Sequence, residues 1–248
     1  YGVAIASTRM GPGWASLALG VGAALAVSLL LSLLIGLASL RVKAIFFAMI
    51  TLAVASAFLV LASQLSWLTG GDDGRSFRLP ELLRPGTVLI SKDVLGFEFN
   101  GRTLTYYIVF FGAAAMILTL LRIVNSPLGR VLQAVRENRF RAEALGYRTV
   151  FHLTWANVLA ALVAAAAGML NSLWLRYAGP DTSLSFTIMV DILLMVVIGG
   201  MGTMYGAVIG SALFVFAQSY LQDLMGWISG GFEAVPLLAA LFSPDRWL

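Results

Sequence analysis

The chain has 248 residues and a formal net charge of +4; 60% of it is hydrophobic and only 11% charged, against roughly 25% charged in soluble domains. That balance excludes a water-soluble globule, and because most of the basic excess sits beside long apolar runs it implies no nucleic-acid partner. The absence of cysteine excludes disulfides, thiolate nucleophiles and thiolate-held clusters.

Several apolar runs reach the roughly 20 residues that cross a bilayer as a helix, and no alternating strand pattern suggests a barrel. The expected class is an all-α integral membrane protein, a polytopic helical bundle. The chain begins at Tyr1 rather than Met and ends Asp245-Arg246-Trp247-Leu248, like the approach to another span. A single transmembrane domain over 1–248, truncated at both ends, is therefore expected.

The first predicted span is near 13–40, free of charge and closed by Arg41 and Lys43. The second, near 44–68, follows so closely that the two are expected to be antiparallel neighbours. Residues 69–103 are polar and punctuated by Gly and Pro, an external loop. Within it Val88 to Ile90 and Leu95 to Phe99 read as strands, and Asn100-Gly101 ahead of Thr103 to Tyr107 is a two-residue hairpin signal. A small extracytoplasmic β-hairpin element is expected there. The cluster Gly70-Gly71-Asp72-Asp73-Gly74 lacks the alternating oxygen ligands and distal glutamate of an EF-hand and reads as a tight turn.

After a third span near 104–124 comes a basic, helix-forming segment, 125–150. Ser126-Pro127 is a helix start, with a capping hydroxyl and a proline whose missing N–H costs nothing at the first position, and Gly146 is the matching stop. Leu128, Val131, Leu132 and Val135 recur at i, i+3, i+4 and i+7, so one face is apolar while Arg130, Arg136, Glu137 and Arg141 project from the others. By composition alone this is a loop whose arginines set membrane orientation.

A fourth span near 151–175 carries the only histidine, His152, without a second histidine or a carboxylate beside it; a helix-end residue is expected rather than a metal ligand or proton relay. Residues 184–224 as one helix would measure roughly 60 Å, twice the hydrocarbon thickness. Two spans, near 184–199 and 204–224, are therefore expected on either side of Gly199-Gly200-Met201-Gly202-Thr203, the second presenting a Gly202-xxx-Gly206-xxx-Gly210 ridge for close helix contact. Asp191 is the one carboxylate inside an apolar run. It either lines a functional path or, within about two turns of the helix start, complements the macrodipole. Arg41 and Lys43 fall on the same side as the arginine-rich segment, which makes that side cytoplasmic and 69–103 external. No HExxH, GxSxG or P-loop is present, so no catalytic residue is expected.

The order Arg136-Glu137-Asn138, then Arg141-Ala142-Glu143-Ala144-Leu145-Gly146, resembles the EAA-type loop of ABC importer permeases, most closely the branched-chain amino-acid permease family. Asp191 through Thr203 and on to Gly210 resembles the same family, as do Leu40 to Ala53 and Leu68 to Gly74. Together these motifs cover most of the chain. The likeness is closer to the subunit with the longer external loop, and urea and amide importers share the pattern. The chain departs in showing neither the family's usual first spans nor its last.

The resemblance implies a permease domain that forms the translocation path for branched-chain amino acids or a related small polar solute. It also implies a second related permease subunit, two cytoplasmic ATPase subunits, and a periplasmic or lipid-anchored solute-binding protein, in a bacterial or archaeal inner membrane. ATP would be used by the partner subunit, with no cofactor or metal bound here. Residues 125–150 would be the cytoplasmic coupling loop, docking through Arg136, Glu137, Asn138, Arg141, Ala142, Glu143, Ala144 and Gly146. Ala142 and Ala144 would be small because they approach the ATPase, and Glu137–Arg141 would support the helix as an i, i+4 pair. Asp191, Gly199, Gly200, Gly202, Thr203, Gly206 and Gly210 would serve the translocation path or helix packing. The alternative is a secondary transporter or channel without an ATPase partner, whose sign would be more buried charges or ion-ligating polar residues.

Overall fold

The computed structural model describes residues 1–39, 44–90 and 99–231. Two compact units divide the chain, Tyr1–Ser185 and Phe186–Leu248. The first unit holds α1 (Gly2–Met10), α2 (Trp14–Ser39), α3 (Ala44–Gln64), α4 (Ser66–Thr69), α5 (Gly101–Val124), α6 (Pro127–Glu137), α7 (Arg139–Ala144), α8 (Thr149–Leu175) and α9 (Pro180–Ser183). The second holds α10 (Phe186–Gly199) and α11 (Met204–Gly231). Six helical stretches among the described residues are long and apolar enough to cross a membrane: Trp14–Leu37, Phe46–Gln64, Gly101–Val124, Thr149–Leu175, Pro180–Gly199 and Met204–Met225. The protein is a multi-pass helical membrane protein. Helices are the form such runs must take, because lipid offers no partner for backbone N–H and C=O groups and a helix satisfies them internally.

Within the first unit α8 is the shared neighbour of α1, α2, α5, α6 and α7. Two polar bonds fasten it to α2: Asn157 Nδ2 donates to the Ser32 carbonyl at 2.9 Å, and Ser28 Oγ donates to the Ala161 carbonyl at 3.0 Å. Bonds of this kind inside a membrane contribute on the order of 0.6 kcal/mol each. Water-driven burial is concentrated at the C-terminal end of α8. There Val3 and Ala4 of α1 pack with Phe77, Leu79, Leu83, Leu173 and Ala178. A short antiparallel pair closes this core, β1 (Arg75–Ser76) against β4 (Tyr177–Ala178), with Arg75 opposite Ala178 and Ser76 opposite Tyr177. Tyr177 Oη also donates to the Asp73 carbonyl at 2.9 Å, and Gly71–Asp73 forms a single 3-10 turn.

A second antiparallel pair, β2 (Val88–Ile90) with β3 (Phe99–Asn100), is irregular in register. The expected Asn100-Gly101 turn is not its connection. Asn100 ends β3 and stands at the N-cap of α5, so Thr103 to Tyr107, expected as a strand, is helical. The long apolar run overrides the local Asn-Gly signal, since a helix at membrane depth pairs its own backbone. Tyr106 and Phe110 accordingly stack along one face at a ring separation of 6.3 Å. Arg41 and Lys43, residues 95–98 of the expected strand, and the tail with Pro236 and Pro244 lie outside the described residues.

In the second unit α10 and α11 pack against each other. The contact is backbone on backbone: a Cβ on Gly206 would strike the carbonyl oxygen of Gly199, and one on Gly210 would strike that of Met195. The ridge therefore consists of Gly206 and Gly210 facing Gly199. Gly202 is not part of it. A Cβ there would meet nothing within 4 Å, because the helix begins only at Met204 and Gly202 lies in the preceding turn. Thr203 caps that helix, its Oγ1 accepting the Gly206 N–H at 3.0 Å.

Two expectations follow. Single cysteines at Ser76 and Asn138, both exposed and near opposite ends of α8, will label from opposite sides of the membrane; labelling of both from one side would refute a spanning α8. Gly206→Leu will lower the yield of folded protein in size-exclusion profiles, since forcing bulk into a close contact costs about 1–3 kcal/mol or more, whereas Gly202→Ala will leave the yield unchanged. Equal yields would show that the glycine contact is dispensable.

Candidate functional site

The segment 125–150 folds as helix, hinge and helix. Ser126 Oγ accepts the Gly129 N–H at 3.4 Å with Pro127 at the first helical position. Along α6 Val135 is buried and Leu128, Val131 and Leu132 half-buried, while Arg130, Gln133, Arg136 and Glu137 are exposed. The apolar stripe packs on α5 and α8, leaving the charged face to water.

The sequence implied one helix from Ser126 to Gly146, but the backbone breaks at Asn138, whose φ of −154° and ψ of 100° are extended. Its N–H still donates to Ala134 at 3.0 Å, while its Oδ1 accepts the Arg141 N–H at 3.0 Å. One residue thus closes α6 and caps α7. Glu137 and Arg141 consequently belong to different helices and do not form the expected i, i+4 pair. The ion pair is Arg139 Nε to Glu143 Oε1, at 3.0 Å.

Helix α7 ends where Gly146 takes φ +91°. The Gly146 N–H donates to Glu143 at 2.9 Å and the Tyr147 N–H to Ala142 at 3.2 Å, the paired bonds of a Schellman stop. A branched side chain at Gly146 would be strained in this left-handed conformation. Glu143 then ties α7 to α8. Its Oε1 also accepts from Thr149 Oγ1 at 2.6 Å, and Thr149 is the buried first residue of α8. The Thr149 hydrogen bond, followed by the bond from Arg139, holds the Glu143 carboxyl below the usual glutamate range.

Ala142 departs from expectation. Its exposure is only 2%, so it is small because α7 folds onto the chain itself, not because its side chain faces a partner. With Ala134, Glu137, Asn138, Arg141, Leu145 and Tyr147 it lines a shallow depression of about 280 Å³. Arg136, Ala144 and Gly146 are exposed on the same protrusion. Sequence reasoning missed the most prominent apolar side chain, Phe140, which is 86% exposed; Leu145 beside it is 71% exposed. The signal was an aromatic between two arginines, Arg139-Phe140-Arg141, in an otherwise polar stretch.

The second group of expected site residues lies in the other unit and divides in two. Gly199, Gly206 and Gly210 make the helix contact, with Gly200 at φ +93° and Thr203 completing the turn and cap. Asp191 is half-buried on α10, eight residues from Gly199 and therefore roughly 12 Å away along the axis. The carboxylate is not part of the glycine contact.

The family described as "branched-chain amino acid transport system / permease component" matches residues 1–242. The high-affinity branched-chain amino acid transport system permease protein LivM of Salmonella typhimurium is 24% identical over 209 residues, covering 79% of this chain and 49% of that protein. The Escherichia coli protein of the same description is 24% identical over 202 residues, 77% of this chain and 47% of its own length. A probable branched-chain amino acid transport permease protein LivM of Methanocaldococcus jannaschii is 29% identical over 189 residues, 75% and 50%. The chain spans about half the length of the curated relatives it matches. No solved structure matches it.

The Glu143 clamp carries a pH dependence. A carboxyl whose value is depressed by folding stabilises fully above the pH at which an unfolded glutamate titrates, and that contribution is lost as pH falls through the depressed value. Protection of the α7 amides, measured relative to their intrinsic exchange at each pH, will therefore fall on acidification through that window. In Glu143→Gln that protection will be lower at neutral pH and less dependent on acid. Identical pH profiles for the two proteins would rule out the clamp.

Proposed function

The chain belongs to the family of branched-chain amino acid transport system permease components, and from that premise we propose that it is one of two related membrane-spanning subunits of an ATP-driven importer. In this reading its helices form part of the path for a branched-chain amino acid or a related small polar solute. Two ATPase subunits sit on the cytoplasmic side, a solute-binding protein delivers from the other, and ATP is hydrolysed by the partner chain. Residues 125–150 are the cytoplasmic coupling segment, and the C-terminal end of α8 is external.

The observation that carries the reading is the protrusion built by α6 and α7. A rigid helical tip, capped at Asn138 and stopped at Gly146, is clamped to the foot of a 27-residue helix and presents Phe140 to solvent. An aromatic held on a short, well-capped helix loses little freedom on docking, which is what makes such residues interface anchors. The arginines around it suit a rim that orients a partner electrostatically. A displacement of the tip acts on α8 directly, through Glu143 and Thr149.

Phe140→Ala and Phe140→Asp will insert normally, since the side chain is 86% exposed, yet will weaken association with the ATPase subunits by about tenfold or more and abolish solute-stimulated ATP hydrolysis. Ala142→Trp is a poor probe, because Ala142 is buried and bulk there disturbs the fold. Wild-type transport in reconstituted Phe140→Asp complexes would refute the coupling assignment.

A further inference from the structure

Where α2 begins and α3 ends, two arginines from separate elements meet at one exposed indole. The Arg9 guanidinium, in the last turn of α1, lies over the Trp67 ring at 5.3 Å from its centroid. Arg75, on β1, reaches the same residue from its backbone: Nη2 donates to the Trp67 carbonyl at 3.5 Å and Nη1 to Thr8 Oγ1 at 3.3 Å. Both pieces are firmly held. Val3 and Ala4 bury α1 in the core, and the buried Thr69 donates from Oγ1 to the Leu65 carbonyl at 2.8 Å, fixing the turn that carries Trp67.

The pair is left without a counter-charge. Among the described residues neither guanidinium meets a carboxylate, and Arg9 donates no hydrogen bond. Asp72 and Asp73, the acids nearest in sequence, are exposed and pair with neither. Two like charges gathered without an anion repel each other, so the arrangement is more favourable with an anion between them. The guanidinium fork matches a phosphate oxygen pair in particular.

Depth selects the source of that phosphate. The two apolar stretches that cross the membrane beside this site are Trp14–Leu37 and Phe46–Gln64; Arg9 lies five residues before the first and Trp67 three after the second. Trp14 and Trp67 are 55% and 65% exposed, at the level where indoles sit among headgroups. Arginine side chains there extend their stems along apolar surface and hold their charge at the phosphates. A free anion at so open a surface would lose its own translational freedom on binding, whereas a lipid is already confined to that plane.

We propose that Arg9 and Arg75, flanking Trp67, form a binding site for the phosphodiester of an anionic membrane lipid, which ties α1 to the end of α3. The site needs only that α2 and α3 cross the bilayer, so it stands apart from the importer reading and goes beyond it.

The test uses the intact protein with any subunits that co-purify, in micelles doped with phosphatidylglycerol or with phosphatidylcholine of the same acyl chains. Bound lipid is counted by native mass spectrometry and melting is followed in parallel. Phosphatidylglycerol will bind in preference. Arg9→Gln and Arg75→Gln will each reduce that preference by about fivefold, and salt will compress it in the unsubstituted protein. Arg9→Lys will retain most of it, and Arg122→Gln, at the other end of α5, will leave it unchanged. Melting in phosphatidylcholine will be the same for Arg9→Gln as for the unsubstituted protein, because that side chain donates no hydrogen bond. If Arg75→Gln melts lower there through loss of its bonds to Thr8 and Trp67, Arg9→Gln alone decides. An unchanged preference in Arg9→Gln would overturn the site, and so would an equal loss in Arg122→Gln, which would make the attraction a general one. Inorganic phosphate that raised the melting temperature as much as phosphatidylglycerol, with the same loss in Arg9→Gln, would overturn the lipid in favour of a free anion.

Discussion

Helix α8 is the member on which the unit Tyr1–Ser185 depends. Inside a bilayer there is no water to drive apolar helices together, so neighbours are held by close packing and by the polar bonds they exchange. Helix α8 supplies two such bonds to α2, through Asn157 and Ala161, and borders four other helices. Where water returns, at its two ends, ordinary burial and electrostatics take over. One end is embedded in the core of Val3, Phe77, Leu79 and Leu173 and stapled by the β1–β4 pair. The other is gripped by Glu143 through Thr149. The charged and aromatic groups of interest therefore stand at fixed positions on a common frame.

That arrangement bears on what the protruding tip can transmit. Helix α7 has only six residues, too few to be stable alone. It persists because Asn138 and Gly146 satisfy its ends, because Ala142 is buried against the chain, and because Glu143 bonds to both Arg139 and Thr149. A short helix so restrained moves as a body or not at all. In the importer reading, force applied at Phe140 reaches the foot of α8 with little lost to bending. The exposed arginines around the tip contribute less to its stability, since exposed charges are screened by solvent.

Much of this was legible in the sequence and some was not, for identifiable reasons. The amphipathic stripe of α6, the Ser126-Pro127 start and the Gly146 stop are local signals, set by side-chain spacing and by conformations few residues can adopt. The break at Asn138 was hidden because the residues on either side form helices well; only the capping preference of asparagine, read against the arginine three positions on, would have revealed it. A small residue such as Ala142 is ambiguous by nature, since close approach to the chain's own helices and to a partner require the same side chain. Asn100-Gly101 misled because a turn signal calibrated in water competes poorly with an apolar run that must pair its own backbone. The depression lined by Arg78, Arg84 and Arg176 had no sequence pattern at all: β1 pairs with β4 across some hundred intervening residues.

The second unit raises the same question of what lipid permits. Helix α10 has 14 residues, about 21 Å at 1.5 Å per residue, and the stretch long and apolar enough to cross a membrane, Pro180–Gly199, begins six residues before it. The turn that follows Gly199 has to satisfy its own backbone wherever water is scarce. The Gly200 N–H donates to Val197 at 3.2 Å and the Ala207 N–H to Thr203 at 3.4 Å, while Thr203 Oγ1 takes the Gly206 N–H. A turn whose donors are met internally tolerates surroundings poor in water, and the glycines at 199, 206 and 210 let the two helices close over it without side chains between them. This contact fixes the backbone of the hairpin and leaves Asp191, two turns away along α10, outside it. The glycines and the carboxylate thus answer to different constraints, the first to helix approach and the second to the polarity of whatever faces α10 at that level.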